Sequence, residues 1–501
     1  MAESDGKIFQ DLTSRRQLDF LATVRDRLPQ SEWYLVGGAV RDALLGRTGE
    51  VKDLDLVVRG VGPDELLPVL GELGTVDAVG RSFGVLKFRP ADAAADDPAT
   101  DIAWPRTERA GGSGAYRDFE VDSDPGLPIE DDLSRRDFTV NAIAWDIARG
   151  ELVDPFAGRS DLEQGIVRAV GDPRRRLSED LSRLLRAIRF ACRLGFDIED
   201  STWAAIRELA PRLNETRPAA EGGETRTVPF ETVAKELAGS FAGDAPRAMR
   251  LLLGSGALHE LLPEMEQMVG AEQSPRYHSE GDVWTHTVLA LERAVSPEFA
   301  QFFGVDGPSV ETLLAVALHD VGKPSTATRD IDGHVSFHGH DVVGAELTRA
   351  LADRLRLSSV AGPTLRPDRL SWLVRWHMFP LLVDLDHVRR TRLVRTFLDC
   401  PEAGQQLLQL SYCDRLASIP AGGEPSLDGL VRLMNELKEL SERTVSEVRW
   451  LLSGDQVMEI LGLEPGPEVG RIVDDLHEAQ LSGEIYDRDS AREFLLRLPR
   501  E

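Results

Sequence analysis

Residues 35–42 read Leu-Val-Gly-Gly-Ala-Val-Arg-Asp, and residues 53–57 read Asp-Leu-Asp-Leu-Val. An apolar run that ends in Gly37-Gly38 and continues with the helical spacing of Val40 and Leu44 predicts a strand, a tight turn and a helix. Glycines at such a turn let backbone N–H groups approach a triphosphate, and the N-terminus of a helix favours an anion. The stretch therefore predicts a phosphate-binding turn at Gly37 and Gly38.

Two aspartates, Asp53 and Asp55, are spaced two residues apart in a predicted strand. Alternate side chains of a strand point to one face, so both carboxylates can bind hard cations such as Mg²⁺ beside the phosphates. Two metals held in this way support in-line attack on an α-phosphate. The glycine turn followed by this pair predicts nucleotidyl transfer, whereas either motif alone is typical of an ordinary turn or a solvated strand.

The hydrophobic pattern changes along the chain. Short strands are predicted at 33–36, 54–58 and 85–88, which indicates a small mixed α/β domain, and helical periodicity dominates after residue 160. Glycine- and proline-rich breaks interrupt the helices. We expect an α+β protein with a mixed α/β head at 1–160, an all-α neck at 161–268, a histidine-rich helical domain at 269–420 and a helical tail at 421–501.

Charge is distributed unevenly over the 501 residues. The 58 basic and 85 acidic residues give a formal net charge of −27, so any nucleic-acid binding must come from local basic surface. Residues 92–132 hold twelve acidic and three basic residues, whereas residues 168–193 hold eight arginines and three acidic residues. The second segment is the best candidate for a phosphate-binding surface.

Several classes of protein are excluded by simpler features. The first ten residues are polar and no apolar run approaches about 18 residues, so we expect neither a signal peptide nor a membrane span, and a cytoplasmic protein. Cys192, Cys400 and Cys413 lack CxxC spacing, which argues against a disulfide framework and a thiolate zinc site.

Two further segments combine arginines with hydrogen-bonding side chains. Residues 135–141 read Arg-Arg-Asp-Phe-Thr-Val-Asn, in which the arginines can bind phosphate and Asn141 can bond a ribose hydroxyl. Asp180, Arg183 and Arg186 are spaced to share one helix face, where an aspartate beside an arginine can bond the edge of a base. When the second segment is considered alone, a helical ladder of salt bridges is the favoured explanation.

A second cluster of candidate ligands lies among the helices of the second half. His286, the dipeptide His319-Asp320 and Asp414 combine imidazoles with carboxylates, a set that suits a divalent metal.

Together these motifs resemble the class II tRNA nucleotidyltransferases, the CCA-adding enzymes, over almost the whole chain. LVGGAVRDALLGR with DLD is similar to the catalytic motif of that family, RRDFTVNAIA to its ribose and triphosphate motif, and EDLSRLLRAIRFACRLGF to its base-selecting helix. The resemblance implies a polymerase-beta-like head and template-independent addition of CMP and AMP, from CTP and ATP, to the 3′ end of the tRNA acceptor arm. It implies Asp53 and Asp55 as Mg²⁺ ligands with Asp101 as a third carboxylate, and contacts to the nucleotide from Gly37, Gly38, Arg41, Asp42, Arg136, Asp137, Asn141, Asp180, Arg183, Arg186 and Arg189.

The histidine-rich part resembles the HD phosphohydrolase domain that some CCA-adding enzymes carry after the neck. This resemblance implies a divalent metal and phosphatase or 2′,3′-cyclic phosphodiesterase activity. It implies His286, His319, Asp320 and Asp414 as metal ligands and Lys323, His340 and His377 as residues on the phosphate side. Residues 461–476 are similar to the tail helix that contacts the far end of the acceptor arm.

Alternatives remain open at this stage. The acidic segment 109–131 occupies the position of the family's flexible loop, which implies addition of the terminal adenosine and disfavours a CC-only enzyme. An A-adding enzyme that acts on tRNA ending in CC, a protein that is mainly an HD hydrolase, and an RNA chaperone on the same scaffold are the rivals. Bacterial poly(A) polymerases share the head motifs, but residues 79–83 lack their second basic residue. Leu181 replaces the usual proline of the base-selecting motif, and the oligomeric state stays undetermined.

Overall fold

The computed structural model divides the chain into two compact units, residues 1–263 and residues 264–501. It describes residues 2–51, 53–79, 84–93, 98–111, 114–115, 119–218, 222–362, 364–447 and 450–498. The division into four domains stays a prediction. Residues 80–83, which the comparison with poly(A) polymerases uses, and parts of the acidic segment 109–131 lie outside the described residues.

A seven-stranded mixed sheet forms the centre of the first unit, with strand order β3-β4-β5-β2-β1-β8-β9. Only β2 and β5 pair in parallel, and the other neighbours are antiparallel. A separate ribbon of β6 and β7 contains part of the acidic segment. The strands are β1 (Glu32–Val36), β2 (Asp55–Arg59), β3 (Gly74–Val79), β4 (Val85–Pro90), β5 (Thr100–Ala103), β6 (Arg106–Ala110), β7 (Phe119–Ser123), β8 (Ala144–Asp146) and β9 (Glu151–Val153).

The sheet forms where the sequence predicts it because β1 and β2 each contain a run of buried apolar residues, 33–36 and 56–58. Residues 33–36 of β1 are buried, which is typical of a strand covered on both faces. Helices of the N-terminal part cover it, and the rings of Phe9 and Trp145 stack with centroids 4.2 Å apart. The strands predicted at 33–36, 54–58 and 85–88 are confirmed as β1, β2 and β4.

Helices dominate after residue 157, as predicted, with three short two-stranded ribbons among them. These ribbons pair β10 (Ile166–Val167) with β11 (Asp197–Ile198), β12 (Thr216–Pro218) with β13 (Glu224–Arg226), and β14 (Thr328–Arg329) with β15 (Val335–Ser336). The α-helices up to residue 266 are α1 (Ala2–Thr13), α2 (Phe20–Arg27), α3 (Gly38–Leu44), α4 (Pro63–Leu73), α5 (Ile129–Ser134), α6 (Gly158–Gln164), α7 (Pro173–Glu179), α8 (Ser182–Leu194), α9 (Asp200–Leu209), α10 (Phe230–Ser255), α11 (Ala257–Leu261) and α12 (Pro263–Glu266).

Helix α8 is the element that carries the arginine-rich motif. Its buried face includes Leu184, Leu185 and Ile188, and it packs along α10, which is kinked at Asp244. The seven-residue helix α7 comes before α8 in the chain. Between the two helices, the backbone at Asp180 is extended rather than helical. The prediction that Asp180 shares a helix face with Arg183 and Arg186 is therefore wrong, because α8 begins only at Ser182.

The second unit packs α13, α15, α18 and α21 around the histidine residues. A smaller apolar core, which includes Leu452, Val457 and Leu476, holds the tail helices together. The remaining α-helices are α13 (Val283–Ala294), α14 (Pro297–Phe303), α15 (Val310–Leu318), α16 (Lys323–Thr326), α17 (His340–Arg354), α18 (Pro367–Trp376), α19 (Phe379–Leu382), α20 (Arg390–Leu393), α21 (Pro401–Ala417), α22 (Asp428–Glu447), α23 (Gly454–Leu461), α24 (Pro467–Ser482) and α25 (Arg488–Arg497).

No helix in the described part of the chain has both the length and the apolar composition that a membrane span requires.

Candidate functional site

The glycine turn lies between β1 and α3. Gly37 has φ of +71°, and a Cβ there would lie 3.2 Å from Nη1 of Arg136 and 3.4 Å from Oδ2 of Asp55. Glycine is therefore required both by the backbone conformation and by the close approach of two charged groups. Because α3 is only seven residues long, we expect arginine side chains and the turn itself to contribute more to phosphate binding than the helix dipole does.

Three carboxylates meet beside this turn. Asp55 is the first residue of β2 and lies directly opposite Asp101 of β5, while Asp53 lies just before β2 rather than within it. Asp53 and Asp55 are exposed. Desolvation by the surrounding protein raises the pKa of Asp55. The neighbouring carboxylates of Asp101 and Asp53 raise this pKa further, whereas Arg136 and Lys87 oppose the shift. This excess of negative charge fits a hard divalent cation such as Mg²⁺, whose charge would favour ionised carboxylates.

Lys87 is a residue of this site that the sequence analysis missed. It lies on β4 opposite Asp101, and its Nζ is 2.8 Å from Oδ1 of Asp101. The ion pair raises the pKa of Lys87 and holds Asp101 at the edge of the carboxylate cluster. Only the pairing of β4 with β5 reveals this contact, so no local signal in the sequence indicates it.

A buried chain of polar side chains joins the glycine motif, the 135–141 motif and α8. Arg41 donates to both carboxylate oxygens of Asp42, at 2.8 and 3.0 Å, and to Oδ1 of Asn141 at 2.8 Å. Asn141 donates to Asp137 at 3.0 Å, and Arg186 donates twice to the other oxygen of Asp137, at 2.9 and 2.6 Å. Three predicted motifs thus form one network that holds their side chains in place.

The electrostatics of this network favour permanent charge. Burial alone would raise the pKa of Asp137, but Arg186 and the hydrogen bond from Asn141 outweigh it and hold the pKa well below its usual range. Asp137 in turn raises the pKa of Arg186. Both groups are therefore ionised at neutral pH, and their pairing makes them positioning residues for Arg41 and Asn141.

Arg135 and Arg136 are both anchored by one fully buried carboxylate, that of Asp132. Arg135 donates to Oδ1 of Asp132 at 2.6 Å, and Arg136 donates to Oδ2 at 3.1 Å. The two arginines hold the pKa of Asp132 below its usual value despite its burial. Asp132 was missed by the sequence analysis, although its spacing of three and four residues from the arginines is a usable helical signal. Arg136 is left facing the turn at Gly37 and the carboxylate of Asp55.

The predicted base-selecting residues have structural partners. Asp180 accepts a hydrogen bond at 2.9 Å from the backbone N–H of Ser182, the first residue of α8, and lies one residue before the N-cap, Leu181. Arg183 donates to the carbonyl oxygen of Arg176 at 2.9 Å and to Glu179 at 3.2 Å. Both side chains are buried.

Three arginines lie around the aromatic ring of Phe190, a residue that the sequence analysis overlooked. The guanidinium carbons of Arg41, Arg186 and Arg189 lie 5.3, 5.6 and 4.4 Å from the ring centroid of Phe190. These distances are within the range of cation–π attraction. Arg189 also donates to the buried Glu236 at 2.5 Å.

The basic segment 168–193 carries less free charge than its sequence suggests. Seven of its eight arginines, all but Arg193, form ion pairs with acidic residues. Arg174, Arg175 and Arg193 are the members most exposed to solvent. The surface available to phosphates is therefore smaller than a count of arginines predicts.

In the second unit, two groups of metal-type ligands adjoin each other at Asp320. His286, His319 and Asp414 form the first group, in which Nε2 of His286 lies 3.3 Å from Nε2 of His319 and 3.1 Å from Oδ1 of Asp414. Asp320 with His340 and His377 forms the second. Oδ2 of Asp320 lies 3.2 Å from Nε2 of His319, and its Oδ1 lies 3.6 Å from Nε2 of His340.

Hydrogen bonds orient all four imidazoles in the same sense. The Nδ1 atoms of His319, His340 and His377 donate to backbone carbonyls at 2.7, 2.8 and 2.6 Å, and Nδ1 of His286 lies 2.8 Å from Glu280. Every Nε2 atom therefore points inward, where a neutral imidazole presents its lone pair to a metal. Imidazoles with shared carboxylates fit a divalent transition metal, and His340 and His377 lie where ligands of a second ion would lie.

Glu280 and Gln273 complete this centre, and both were missed by the sequence analysis. Hydrogen bonds from His278 and His286 overcome the effect of burial and lower the pKa of Glu280 to about 2. Burial disfavours a charged His286, yet bonds to Asp414 and Glu280 raise its pKa to about 9, whereas burial and neighbouring imidazoles lower that of His377 to about 4. Lys323, whose Nζ is 2.6 Å from Asp320, donates to Gln273 at 2.7 Å.

A cavity of about 900 Å³ opens onto these residues. We call it the histidine cleft; its lining includes Tyr277, Lys323, Phe337, His340, Leu382 and Asp414.

Comparisons with known proteins agree with both centres. Residues 33–168 match the model of the poly A polymerase head domain, and residues 285–417 match that of the HD domain. The Multifunctional CCA protein of Halorhodospira halophila is 38% identical over 351 residues, which cover 69% of this chain and 74% of that protein. The A-adding tRNA nucleotidyltransferase of Deinococcus radiodurans is 37% identical over 378 residues, 74% of this chain and 80% of that protein.

Solved structures show the same architecture. A CCA-adding enzyme without ligand superposes with a TM-score of 0.61 at 20% identity, covering 98% of this chain and 97% of that one. The protein is thus a nucleotidyltransferase head followed by a helical body with an HD domain. Within that class, the chain belongs to the CCA family of tRNA nucleotidyltransferases.

Changing Asp137 to Asn should destabilise the first unit by about 3 kcal/mol, because it removes the buried carboxylate that pairs with the half-buried Arg186. The folded state holds the pKa of Asp137 below its value in the unfolded chain, so the stabilising effect is complete above about pH 5, begins to decline near about pH 4 and is lost as the pH falls further toward the lowered pKa. Urea unfolding of both proteins from about pH 2.5 to about pH 8 measures the difference.

Asp197→Asn is the matched control, since Asp197 pairs with Arg247 at an exposed site and should contribute less than about 1 kcal/mol. A difference for Asp137→Asn that stayed below about 1 kcal/mol at pH 7 would contradict the importance of this pair.

Proposed function

We propose that this protein adds CMP and AMP, from CTP and ATP, to the 3′ end of tRNA without a nucleic-acid template. The observation that carries the proposal is the cluster of Asp53, Asp55 and Asp101 beside the turn at Gly37 and the guanidinium of Arg136. The identity of the substrates is inferred from membership of the CCA family.

In this reaction the 3′ oxygen of the RNA attacks the α-phosphate, a new P–O bond forms, and the bond to pyrophosphate breaks. Asp53, Asp55 and Asp101 would hold Mg²⁺, which lowers the pKa of the attacking hydroxyl and neutralises charge on the phosphates. Arg136 is placed to bind the triphosphate next to the turn, and Asp132 keeps its guanidinium in that position. Lys87 holds Asp101 in line with Asp55.

Base selection is assigned to Asp180 and Arg183. Asp180 lies just before α8, near enough to Arg186 to raise the pKa of that guanidinium, and Arg183 lowers the pKa of Asp137. The two side chains therefore extend the network that begins at Arg41.

Asp55→Asn should lower the rate of nucleotide addition by at least about a thousandfold, since it removes a charge from the metal-binding cluster without changing its size. Incorporation of labelled ATP into tRNA ending in CC measures the rate. Asp64→Asn, in the exposed first turn of α4, is the control and should leave the rate unchanged. Retention of more than a tenth of the activity by Asp55→Asn would rule out the assigned role.

Full CCA addition is tested against A-only addition with three tRNAs, which end before CCA, after the first C and after CC. We expect CTP to extend the first two and ATP to extend the third. Extension of the third alone, and only with ATP, would replace the proposal with an A-adding enzyme.

We propose a second activity, metal-dependent hydrolysis of phosphate esters, for the HD centre. The observation that favours it is that Asp320 lies between two histidine groups with all four Nε2 atoms directed inward. A divalent metal there would supply a nucleophilic hydroxide at neutral pH. Lys323 is placed to bind a phosphate oxygen at the mouth of the centre.

If both ligand groups bind metal, chelator-treated protein should regain about two Ni²⁺ ions per chain at this centre. His377→Ala should regain about one, because only the second group is broken. Elemental analysis after gel filtration measures the ratio. The control is His387→Ala, which removes an exposed imidazole that pairs with Asp384. Equal nickel contents for wild type and His377→Ala would show that the second group is not a metal site.

A further inference from the structure

A second pocket, of about 480 Å³, adjoins the histidine cleft. The two cavities share Asp341, Met378 and Leu382 in their linings, so they are neighbours. We call the second cavity the stacking pocket; Trp376, Phe379 and Arg392 lie in its wall.

The wall of the stacking pocket combines aromatic rings with an arginine. The guanidinium carbon of Arg392 lies 4.6 Å from the ring centroid of Phe379 and 5.7 Å from that of Trp376. The two rings are 5.7 Å apart and nearly perpendicular. Within the part of the chain that the structure describes, Arg392 is exposed and forms no ion pair with a carboxylate. Aromatic faces beside a guanidinium are the surfaces on which proteins stack the bases of single-stranded nucleic acid.

Two chain connections fix the pocket next to the candidate metal centre. Trp376 immediately precedes His377, and Asp341 immediately follows His340. Arg375 forms an ion pair with Asp341, which ties the end of α18 to the start of α17 at the boundary between the two cavities. A base in the stacking pocket would therefore lie beside a nucleotide whose phosphate is held near Asp320.

The histidine cleft is already large enough for one nucleotide. Its volume of about 900 Å³ is at the upper end of the range of about 300–1,000 Å³ that is usual for small-molecule sites. If the phosphate of a nucleotide faces Lys323, Tyr277 and Phe337 in the lining can contact its sugar and base. The stacking pocket is additional space with base-binding chemistry.

We infer that the stacking pocket binds the base of the nucleotide that precedes the one being hydrolysed, so that the HD centre acts on the 3′ end of an RNA strand in preference to a free nucleotide. This inference rests on the hydrolase function proposed above. For an end that carries a 2′,3′-cyclic phosphate, water adds its oxygen to phosphorus, one ribose P–O bond breaks, and the proton passes to the released ribose oxygen.

The test compares 2′,3′-cyclic AMP with the dinucleotide ApA that ends in a 2′,3′-cyclic phosphate, using full-length protein loaded with Ni²⁺. Stacking of the additional base should raise kcat/KM for the dinucleotide by about 10-fold or more. Arg392→Ala and Trp376→Ala should each remove most of that advantage and leave the mononucleotide within about twofold of wild type. Arg293→Ala, an exposed arginine of α13 outside both cavities, is the control and should change neither value.

Binding to metal-free protein provides a readout that is independent of hydrolysis. Calorimetry with 3′-phosphorylated ApA and with 3′-AMP should show that Arg392→Ala weakens binding of the dinucleotide by about 10-fold and leaves binding of 3′-AMP unchanged. Because Arg392 belongs to the second unit, nucleotide bound by the head contributes equally to both proteins and cancels in the comparison.

The possible outcomes separate the inference from the function on which it rests. Hydrolysis of both substrates with equal kcat/KM would overturn the inference alone, as would variants that slow both substrates equally, since the pocket would then serve the hydrolysed nucleotide itself. Absence of hydrolysis with either substrate would overturn the hydrolase function and the inference with it.

Discussion

The pairing of buried charges around Asp137 is the constraint on which the first unit depends. A charged group in a protein interior must be paired and hydrogen-bonded, or it costs several kcal/mol. Asp137 meets this requirement through Arg186 and Asn141, and Asn141 passes the connection to Arg41. One set of hydrogen bonds therefore holds the glycine motif of the head, the turn before β8 and helix α8 in a single arrangement. The positions of the nucleotide-facing side chains follow from that arrangement.

The carboxylate cluster next to this network is built in the opposite way. Three carboxylates, those of Asp53, Asp55 and Asp101, face two basic groups, Arg136 and Lys87. Desolvation, together with Asp101 and Asp53, raises the pKa of Asp55, and the two basic groups offset only part of the shift. Charge that the protein leaves uncompensated is available to bind a cation, whereas charge that it pairs internally serves to position other groups. Glu280 of the second unit shows the positioning role, since it is bound on both oxygens and orients His286.

The two centres also differ in the chemistry of their ligands. Among the described residues, the candidate metal ligands in the head are carboxylate oxygens, which suit Mg²⁺, whereas the HD centre is rich in nitrogen donors and suits transition metals. Nucleotide addition and phosphoester hydrolysis can therefore use different ions in one chain. The aromatic and arginine side chains beside the HD centre add to it a surface for a nucleobase, which suits a protein whose substrate is an RNA end.

The local elements and the chemistry they carry could be predicted from the sequence. The apolar residues 33–36, the turn at Gly37 and the spacing of Asp53 and Asp55 depend on periodicity and backbone conformation, which are local properties. Which distant side chains meet could be learned only from the folded chain. Lys87 joins Asp101 only because β4 pairs with β5, and His340 and His377 meet Asp320 only because α17 and α18 pack together. Asp180 was misplaced on a helix because its spacing fits a helical period although the backbone there is extended. Contacts of this kind depend on strand order and helix packing, which a single sequence does not encode in its local pattern.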